Sequence, residues 1–437
     1  MSFSYPQAIE YLNSLYNYEA DAKRQTSPPF HLESIGRLLA KLGEPHKKYK
    51  VVHIAGTKGK GSVAAMLTSI ALDSGLPVGT YISPHLLNIR ERIQLSGEPI
   101  SEKDFADAVF AVSDVIGDRP KEYATFFEVL TAAAFWTFAR KKVDIAVIES
   151  GLGGKFDATN IVLPDVAIIT RIGLDHTERL GNTVAEIAQD KSQIIKQGSV
   201  AIVGEQNDEA LEPIIQRIEE VGAKSFISGR DFDYSVEKSS LDGIECEFQS
   251  YDEKFRYTVP LIGKFQGENS STAIMTAKVL GFDTQKIISG IDKVKIRGRM
   301  EIIGREPLVI VDGAHNPSSA ATTAGEIFDL GLAPAVFVIG INRPKDFANM
   351  LKYWSKVAKY FIFTRPDSPR AYSPEMLKNF AEHNFGIPSI LEDSPENALE
   401  KAYSIAGKYG TIFIAGSLYL AGDILRTRSI SIYKHNL

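Results

Sequence analysis

The chain has 437 residues, 44% of them hydrophobic and 24% charged, and a formal net charge of −5. Single hydrophobic cores stop growing near about 250–300 residues, so this length predicts two or three domains rather than one. The composition is that of a globular chain and excludes wholesale disorder or a fibrous repeat. Because no block of basic residues offsets the mild negative charge, nucleic acid and anionic membrane surfaces are poor first choices as partners.

Three features predict a cytoplasmic protein. Cys246 is the single cysteine and cannot form an internal disulfide, which agrees with a reducing compartment. The N-terminus lacks a basic start followed by an apolar stretch, so no signal peptide is predicted. The longest nearly apolar run, residues 129–139, is far shorter than the roughly 20 residues that span a bilayer.

Strand-like apolar runs alternate with helical periodicity along most of the chain. The runs are apolar at successive positions, as in strands that are buried on both faces, and longer segments separate them. This alternation predicts an α/β fold with mainly parallel sheets. The predicted strands are residues 50–56, 143–150, 166–173, 199–205, 308–313, 335–341, 360–364 and 411–416.

The first predicted strand leads into a glycine-rich loop, GTKGKGS at 56–62, and then into a helix. Glycines let backbone N–H groups point at phosphate oxygens, Lys60 supplies a positive charge, and the helix N-terminus adds a partial one. Gly61 is an extra residue before the hydroxyl residue, a departure from the usual G-x-x-x-x-G-K-[ST] pattern. The alternative is a glycine-rich turn without a ligand. The predicted nucleotide contacts are Thr57, Lys58, Gly59, Lys60, Gly61 and Ser62. Lys58 is also consistent with a solvated loop residue.

Residues 231–262 break the strand–helix rhythm. They alternate polar and apolar residues, which predicts antiparallel hairpins with one solvent-facing side. Helices are predicted from about Gln266 to Gly281 and over 284–294, and the rhythm restarts at Leu308. We therefore predict a nucleotide-binding domain of residues 1–297 and a smaller α/β domain of residues 298–437.

Eight further segments follow the loop in a recognisable order. They are YISPHLLNIRERI (81–93), TFFEVLTAAAF (125–135), ESGLGGKFDATN (149–160), GLDHTERLGNT (173–183), DKSQIIKQG (190–198), GRMEI (298–302), DGAHNP (312–317) and GSLYLAG (416–422). Their order and spacing resemble the folylpolyglutamate synthase and dihydrofolate synthase family, a branch of the Mur ligases. The resemblance extends from about residue 31 to about 425.

The resemblance implies both a fold and a reaction. The fold is a P-loop, Mur-ligase-like central domain with a mainly parallel sheet and a small antiparallel hairpin region, followed by a smaller Rossmann-like α/β domain. The reaction is ATP-dependent addition of L-glutamate to a folate, or to dihydropteroate in bifunctional members, through an acyl phosphate. Transfer of a phosphoryl group to a carboxylate brings two anions together, so Mg²⁺ with oxygen ligands is expected beside ATP.

The family's metal ligands match Ser83, Glu149 and His176, together with Lys191 as a CO₂-carboxylated lysine. Glu149 directly follows a buried apolar run, where a carboxylate needs a partner or a metal. Taken alone, Ser83 also fits a turn residue, His176 a core histidine, and Lys191 a solvated residue of the helix predicted over 183–197.

The resemblance also places Asn269 near the adenine, Arg299 on a phosphate, and Asp312 on the nucleotide from the second domain. His315 is expected at the cleft, with Lys60 and Lys191 as the other catalytic residues. Other interpretations stay open, because Asn269 is consistent with a helix start, Arg299 with a linker charge, and Asp312 with a helix cap.

Two segments match the family's pterin-substrate site, where aromatic rings suit a flat heterocycle. The predicted acceptor residues are Thr125, Phe126, Phe127, Glu128, Phe156, Asp157 and Ala158, with His85 as a further contact. Residues 126–138 are equally an amphipathic core helix, so Phe127 fits either role.

The chain departs from the family pattern at several positions. Ser150 and Lys155-Phe156 replace the residues that commonly flank the metal glutamate and the following Asp. His31 and Ser34 replace the Gly and Arg of a segment near dihydropteroate, which puts dihydrofolate synthase activity in doubt.

Three other functions are alternatives. They are a Mur-type ligase for a non-folate acid, a nucleotide-binding homologue without catalysis, and a nucleic-acid motor, which the net charge disfavours. A monomer with small-molecule substrates is expected.

Overall fold

Three β-sheets with flanking helices organise the part of the chain that the computed structural model describes, residues 3–17, 32–117 and 124–435. Side chains beyond residue 427 are outside this description. The sheets have eight, three and six strands. The mainly parallel α/β fold with an antiparallel hairpin region and a second α/β part, predicted from the sequence, is confirmed.

The eight-stranded sheet has the order β4-β3-β2-β5-β1-β6-β7-β8. Its central strand β1 pairs in parallel with β5 and β6, which brings the carboxyl ends of these strands to one edge. Short strands β3 and β4 form an antiparallel edge. The strands are β1 (Lys50–Ala55), β2 (Val78–Tyr81), β3 (Ile93–Leu95), β4 (Glu98–Pro99), β5 (Ile145–Glu149), β6 (Val166–Ile169), β7 (Val200–Val203) and β8 (Lys224–Ile227).

Helices cover both faces of this sheet and bury separate apolar clusters against it. The strands are apolar on both faces because both faces are buried. The helices are α1 (Tyr5–Ser14), α2 (Leu32–Lys41), α3 (Lys60–Asp73), α4 (Glu102–Ile116), α5 (Phe126–Lys141), α6 (Thr177–Leu180), α7 (Val184–Lys191), α8 (Asp208–Val221), α9 (Phe265–Val279) and α10 (Thr284–Asp292).

The three-stranded sheet is antiparallel, in the order β11-β10-β9. Ile244, Cys246 and Phe248 are buried, whereas Glu245 between them is exposed. One face therefore packs against the apolar cluster shared with α3 and α9. The strands are β9 (Phe232–Ser240), β10 (Gly243–Ser250) and β11 (Lys254–Val259).

The six-stranded sheet follows, in the order β12-β13-β17-β14-β15-β16, and is parallel apart from β12. Its helices again cover two apolar clusters. The elements are β12 (Glu301–Arg305), β13 (Leu308–Val311), α11 (Pro317–Asp329), β14 (Ala335–Ile339), α12 (Phe347–Trp354), β15 (Ala358–Phe363), α13 (Pro374–Phe385), β16 (Ser389–Leu391), α14 (Pro395–Ala406), β17 (Thr411–Ala415) and α15 (Leu418–His435).

Several local predictions differ from the structure. Short strands β3, β4, β8 and β16 carry polar residues and are not indicated by apolar runs. Helix α7 ends at Lys191 and continues as a 3₁₀ turn, Ser192–Ile194, so the predicted helix over 183–197 is too long. The domain boundary near residue 297 stays a prediction, and residue 297 lies between α10 and β12.

Candidate active site

The glycine-rich loop joins β1 to α3, as predicted, and packs against α9. Gly59 is the N-cap of α3 with φ 84°, a left-handed conformation that favours glycine. A Cβ added at Gly59 would lie 2.2 Å from Asn269 Oδ1. The Asn269 amide is itself held, because its Nδ2 donates a hydrogen bond of 2.9 Å to Gln266 Oε1. The structure thus brings Asn269 directly to the loop, and Asn269 lies inside α9 rather than at its start.

The first half of the loop is anchored to the segment after β6. The backbone N–H groups of Thr57 and Lys58 donate to the Arg171 carbonyl at 3.0 and 3.1 Å. The Thr57 hydroxyl donates to the Gly173 carbonyl at 3.0 Å. The Lys58 ammonium donates to the Ser318 hydroxyl on α11. These groups support the loop, and their contact with phosphate stays a prediction.

Lys60 and Glu149 face each other at the carboxyl edge of the sheet. Lys60 Nζ lies 3.8 Å from Glu149 Oε1, with side-chain exposures of 16% and 7%. Lys60 Nζ also donates to the Gly56 carbonyl at 3.2 Å. The Ser83 N–H donates to Glu149 Oε2 at 3.3 Å. Burial raises the pKa of Glu149, and the positive charge of Lys60 opposes that shift.

Lys191 is a buried lysine, 5% exposed. Burial and repulsion from Lys60 lower its pKa to about 7, although Asp190 acts in the opposite direction. Across residues 3–17, 32–117 and 124–427, nothing hydrogen-bonds or ion-pairs with its Nζ. The amine is therefore substantially neutral near pH 7 and is not committed to a structural contact.

The glycine turn at residues 151–154 packs directly against Lys191. The Gly154 N–H donates to Asp190 Oδ2 at 2.7 Å. A Cβ at Gly154 would lie 2.7 Å from Lys191 Cα, and one at Gly153 would lie 2.4 Å from Asp190 Oδ2. The GLGG sequence at 151–154 thus permits the close approach that positions Lys191.

His176 lies in the loop after β6 with φ 50° and ψ 39°. Burial lowers the pKa of its ring, which favours the neutral form that metals bind. Its Nδ1 lies 3.8 Å from Glu178 Oε1. In the described part of the chain no group of three or more His, Cys, Asp or Glu residues is arranged to hold a metal. A metal there would have to draw on the Ser83 hydroxyl and on a modified Lys191 as well as on Glu149 and His176.

Asp312 and His315 follow β13, and Arg299, which precedes β12, reaches the same loop. Asp312 is 5% exposed, and it accepts hydrogen bonds from Met300 N at 2.8 Å and Ala314 N at 2.7 Å. The N-cap of α11 is Asn316, so the interpretation of Asp312 as that cap is wrong. A Cβ at Gly313 would lie 2.7 Å from Arg299 Nη1.

The His315 ring is held by its own loop. Its Nδ1 lies 2.9 Å from the Gly313 carbonyl. Burial, assisted by the charge of Lys345, lowers the pKa of His315 to about 4, so the ring is neutral at pH 7.

Four of the predicted acceptor residues, Thr125 to Glu128, form the start of α5. Thr125 and Glu128 form a reciprocal capping box, with hydrogen bonds of 2.7 and 3.2 Å. Phe126 is buried, and Phe127 packs against Gly151, where a Cβ would lie 2.5 Å from its Cζ. Both interpretations of α5 therefore remain, since it is a core helix whose first turn faces the loop at 151–154.

Asp157 is buried and accepts several hydrogen bonds from its own loop. Oδ1 accepts from Thr159 N at 3.0 Å and from the Thr159 hydroxyl, and Oδ2 accepts from Leu152 N at 2.8 Å. His53 Nε2 lies 2.8 Å from the same hydroxyl. These contacts organise the loop. Ala158 is buried beside it, whereas Phe156 is 47% exposed. Residues 28–31 of the departing N-terminal segment lie outside the described residues.

Arg92 was missed by sequence reasoning. It is 2% exposed, its Nε donates to His85 Nδ1 at 3.0 Å, and its guanidinium lies 5.5 Å from the centre of the Phe126 ring. Its positive charge also opposes the rise in the pKa of Glu149 that burial causes. The available signal was a charge directly before the short strand β3.

A second missed group lies on the other side of the loop. Arg171 Nε donates to Glu268 Oε2 at 2.8 Å, and Arg171 Nη2 lies 2.9 Å from Glu205 Oε1. Burial raises the pKa of Glu268 to about 7 despite Arg171. No sequence pattern connects these residues, which come from three separate segments.

The fold and the site define a phosphate-loop α/β ligase of the Mur type. The family model of the Mur ligase middle domain matches residues 54–277, and that of the Mur ligase glutamate ligase domain matches residues 298–418. The chain is 34% identical over 403 residues to the dihydrofolate synthase/folylpolyglutamate synthase of Bacillus subtilis, covering 89% of this chain and 92% of that protein. The chain belongs to the folylpolyglutamate synthase/dihydrofolate synthase family.

Solved structures agree with this membership. Escherichia coli FolC in complex with DHPP and ADP superposes with a TM-score of 0.88 at 28% identity, covering 98% of each chain. A bifunctional folylpolyglutamate synthase/dihydrofolate synthase from Yersinia pestis, complexed with AMPPNP and a Mn ion, gives a TM-score of 0.85 at 27% identity, covering 98% of each chain. In the described residues no helix is long and apolar enough to cross a membrane.

Proposed function

We propose that this chain is an ATP-dependent ligase that joins the amino group of L-glutamate to a carboxylate of a folate through an acyl phosphate. The observation that carries the proposal is the pairing of Lys60 with Glu149, together with the buried amine of Lys191, whose pKa is lowered to about 7. A charge pair at the end of a glycine-rich loop suits phosphoryl transfer, in which positioning and charge compensation supply most of the catalysis.

Lys60 and the glycine loop hold the phosphates in this mechanism. The loop N–H groups and the N-terminus of α3 favour anions, and the Lys60 ammonium offsets charge on the transferred group. Arg299 is the second cation, since its charge also acts on Glu149. Asn269, Arg299 and Asp312 complete the proposed nucleotide contacts.

The residues fit a divalent cation such as Mg²⁺. Glu149 is a buried carboxylate whose ionised form needs a nearby positive charge, and the neutral His176 ring is a competent ligand. Ser83, Glu149, His176 and a carboxylated Lys191 would hold the metal, which when bound would withdraw charge from phosphate oxygens.

Lys191 is suited to carboxylation by its neutral amine. The amine lone pair attacks the carbon of CO₂, one proton leaves to solvent, and a carbamate anion results. A pKa near 7 leaves enough free amine for this addition at neutral pH. The change turns a costly buried cation into an anionic oxygen ligand.

The second domain supplies the other reaction partner. The His315 ring is neutral at pH 7, and its Nδ1 is held by the Gly313 carbonyl, so its other ring nitrogen can accept a hydrogen bond from the glutamate amino group and orient that group toward the acyl phosphate. We assign residues 1–297 to the nucleotide-binding domain and 298–437 to the glutamate domain. A monomeric, cytoplasmic enzyme that acts on small molecules completes the proposal.

Dihydropteroate is a second candidate acceptor, since the Bacillus subtilis relative carries both activities in its name. The test measures phosphate release and glutamate incorporation in parallel with tetrahydrofolate and with dihydropteroate. Glutamate-dependent turnover of either acceptor supports the ligase. Turnover of neither, with ATP binding intact, would overturn it in favour of a non-catalytic homologue or a ligase for another acid.

A further inference from the structure

Contacts centred on Asp175 bridge the cleft between the two proposed domains. Asp175 lies in the loop after β6, in the first domain. Its Oδ1 lies 3.4 Å from Lys345 Nζ, and its Oδ2 accepts a hydrogen bond of 3.4 Å from Asn316 Nδ2. Both partners belong to the second domain, so one carboxylate connects two of its segments to the loop that carries His176.

Lys345 is presented to Asp175 by a braced loop after β14. The Tyr372 hydroxyl donates to the Lys345 carbonyl at 3.2 Å, and the Lys345 N–H donates to the Asn342 carbonyl at 3.2 Å. Because these contacts already hold the backbone, the ion pair has to order only the side chain of Lys345.

The environment of Asp175 makes this contact more than a solvated surface pair. The side chains of Lys345 and Asp175 are 24% and 19% exposed. Partly desolvated pairs are screened less than exposed ones.

A second contact reaches the same helix end independently. The Lys58 ammonium of the phosphate loop donates to the Ser318 hydroxyl in the first turn of α11. Asn316, held by Asp175, is the N-cap of that helix. The short segment between β13 and α11 carries Asp312 and His315. It is therefore held both by Asp175, in the loop after β6, and by Lys58 of the phosphate loop.

We propose that Asp175 is a positioning residue for ligation. By holding Lys345 and Asn316, it fixes the second domain in the arrangement that brings His315 to the phosphate loop. The inference rests on the proposed function, since it gives the domain arrangement a role in the glutamate-dependent step. It does not require Asp175 to touch any substrate.

The test is a double-mutant cycle with Asp175→Asn, Lys345→Met and the double variant. Dyes on Tyr251→Cys and Tyr409→Cys, which are 85% and 88% exposed, report the distance between the domains by energy transfer. Cys246→Ser removes the native thiol from labelling. Steady-state kinetics separate kcat from the KM for glutamate, and a fluorescent ATP analogue gives nucleotide affinity.

Each single variant should broaden the inter-domain distance distribution of the substrate-free protein and lower the ligation kcat by about tenfold or more. Nucleotide affinity should stay within about twofold, and the double variant should be no worse than the worse single one, because both remove one interaction. Asp242→Asn is the matched control. It breaks the exposed Arg305–Asp242 pair at 3.1 Å, which should leave both readouts unchanged.

Two results would overturn the proposal. The first is an unchanged distance distribution in Asp175→Asn. The second is a rise in the KM for glutamate on Lys345→Met that has the same size whether residue 175 is Asp or Asn. That result would make Lys345 a direct substrate contact. If the distances respond as expected but the wild type ligates no glutamate, the proposed function fails and the positioning contact stands.

Discussion

Lys60 Nζ and Glu149 Oε1 lie 3.8 Å apart at the end of the phosphate loop, and both side chains are largely buried. The two residues come from neighbouring parallel strands, since Lys60 follows β1 and Glu149 ends β5. Parallel pairing brings both to one sheet edge, where open α/β sheets bind ligands. The pair gives this edge both a cation for phosphate and an anion for a metal.

Substitution of Lys60 should lower both the free energy of unfolding and the activity, but a second substitution should restore only the free energy of unfolding. Lys60→Met leaves Glu149 as a buried carboxylate without its nearest cation, so we expect a lower free energy of unfolding, by about 3–5 kcal/mol. Adding Glu149→Gln should restore most of the stability while ATP-dependent glutamate incorporation stays lost. Urea unfolding and incorporation of labelled glutamate measure the two effects. Glutamate incorporation at the wild-type rate in Lys60→Met would show that Lys60 takes no part in the reaction.

Carboxylation of Lys191 should depend on pH in a defined direction. Only the neutral amine adds CO₂, and the neutral fraction falls as the pH drops below about 7. We therefore expect both the carbamate signal of the ¹³C-bicarbonate-treated protein and the activity to decline below that pH. Lys191→Ala should be inactive and partly rescued by a short carboxylic acid. A protein that is fully active while NMR detects no carbamate would contradict the modification.

Unmodified Lys191 should lower the free energy of unfolding of the protein. Its pKa is lowered from 10.5 to about 7 on folding, so the unfolded chain binds the proton more tightly between these values. Stability of the wild type therefore falls as the pH is lowered from about 10 to about 7 and then levels off. In CO₂-free buffer, Lys191→Met should be more stable than the wild type by a few kcal/mol at pH 6, on the order expected for a buried charge. The difference should shrink toward pH 10, and a constant difference would contradict it.

Gly59 should tolerate no side chain. A Cβ there would lie 2.2 Å from Asn269 Oδ1, and the positive φ adds strain of about 1–2 kcal/mol. We expect Gly59→Ala to weaken ATP binding at least about tenfold, measured by calorimetry. Gly75→Ala is the matched control at the other end of α3, because its φ is also positive but nothing lies within 4 Å of the added Cβ. Gly75→Ala should carry a backbone strain similar to that of Gly59→Ala and should retain the wild-type affinity for ATP.

The sequence by itself determined the features that depend on neighbours along the chain. The apolar runs predicted the main strands, the glycine-rich loop predicted a phosphate site between β1 and α3, and motif order predicted the family. Boundaries were less secure, as with α7, because a helix end depends on what packs against it.

Contacts between distant segments were decided only by the tertiary structure. The approach of Gly59 to Asn269, the burial of Arg92 against Phe126, and the pairing of Asp175 with Lys345 join residues far apart in the chain. No local pattern encodes such distances, because they follow from how the sheet edges and helices pack. The lowered pKa of Lys191 has the same origin, since burial, which sequence periodicity does not reveal for a lysine, is its main cause.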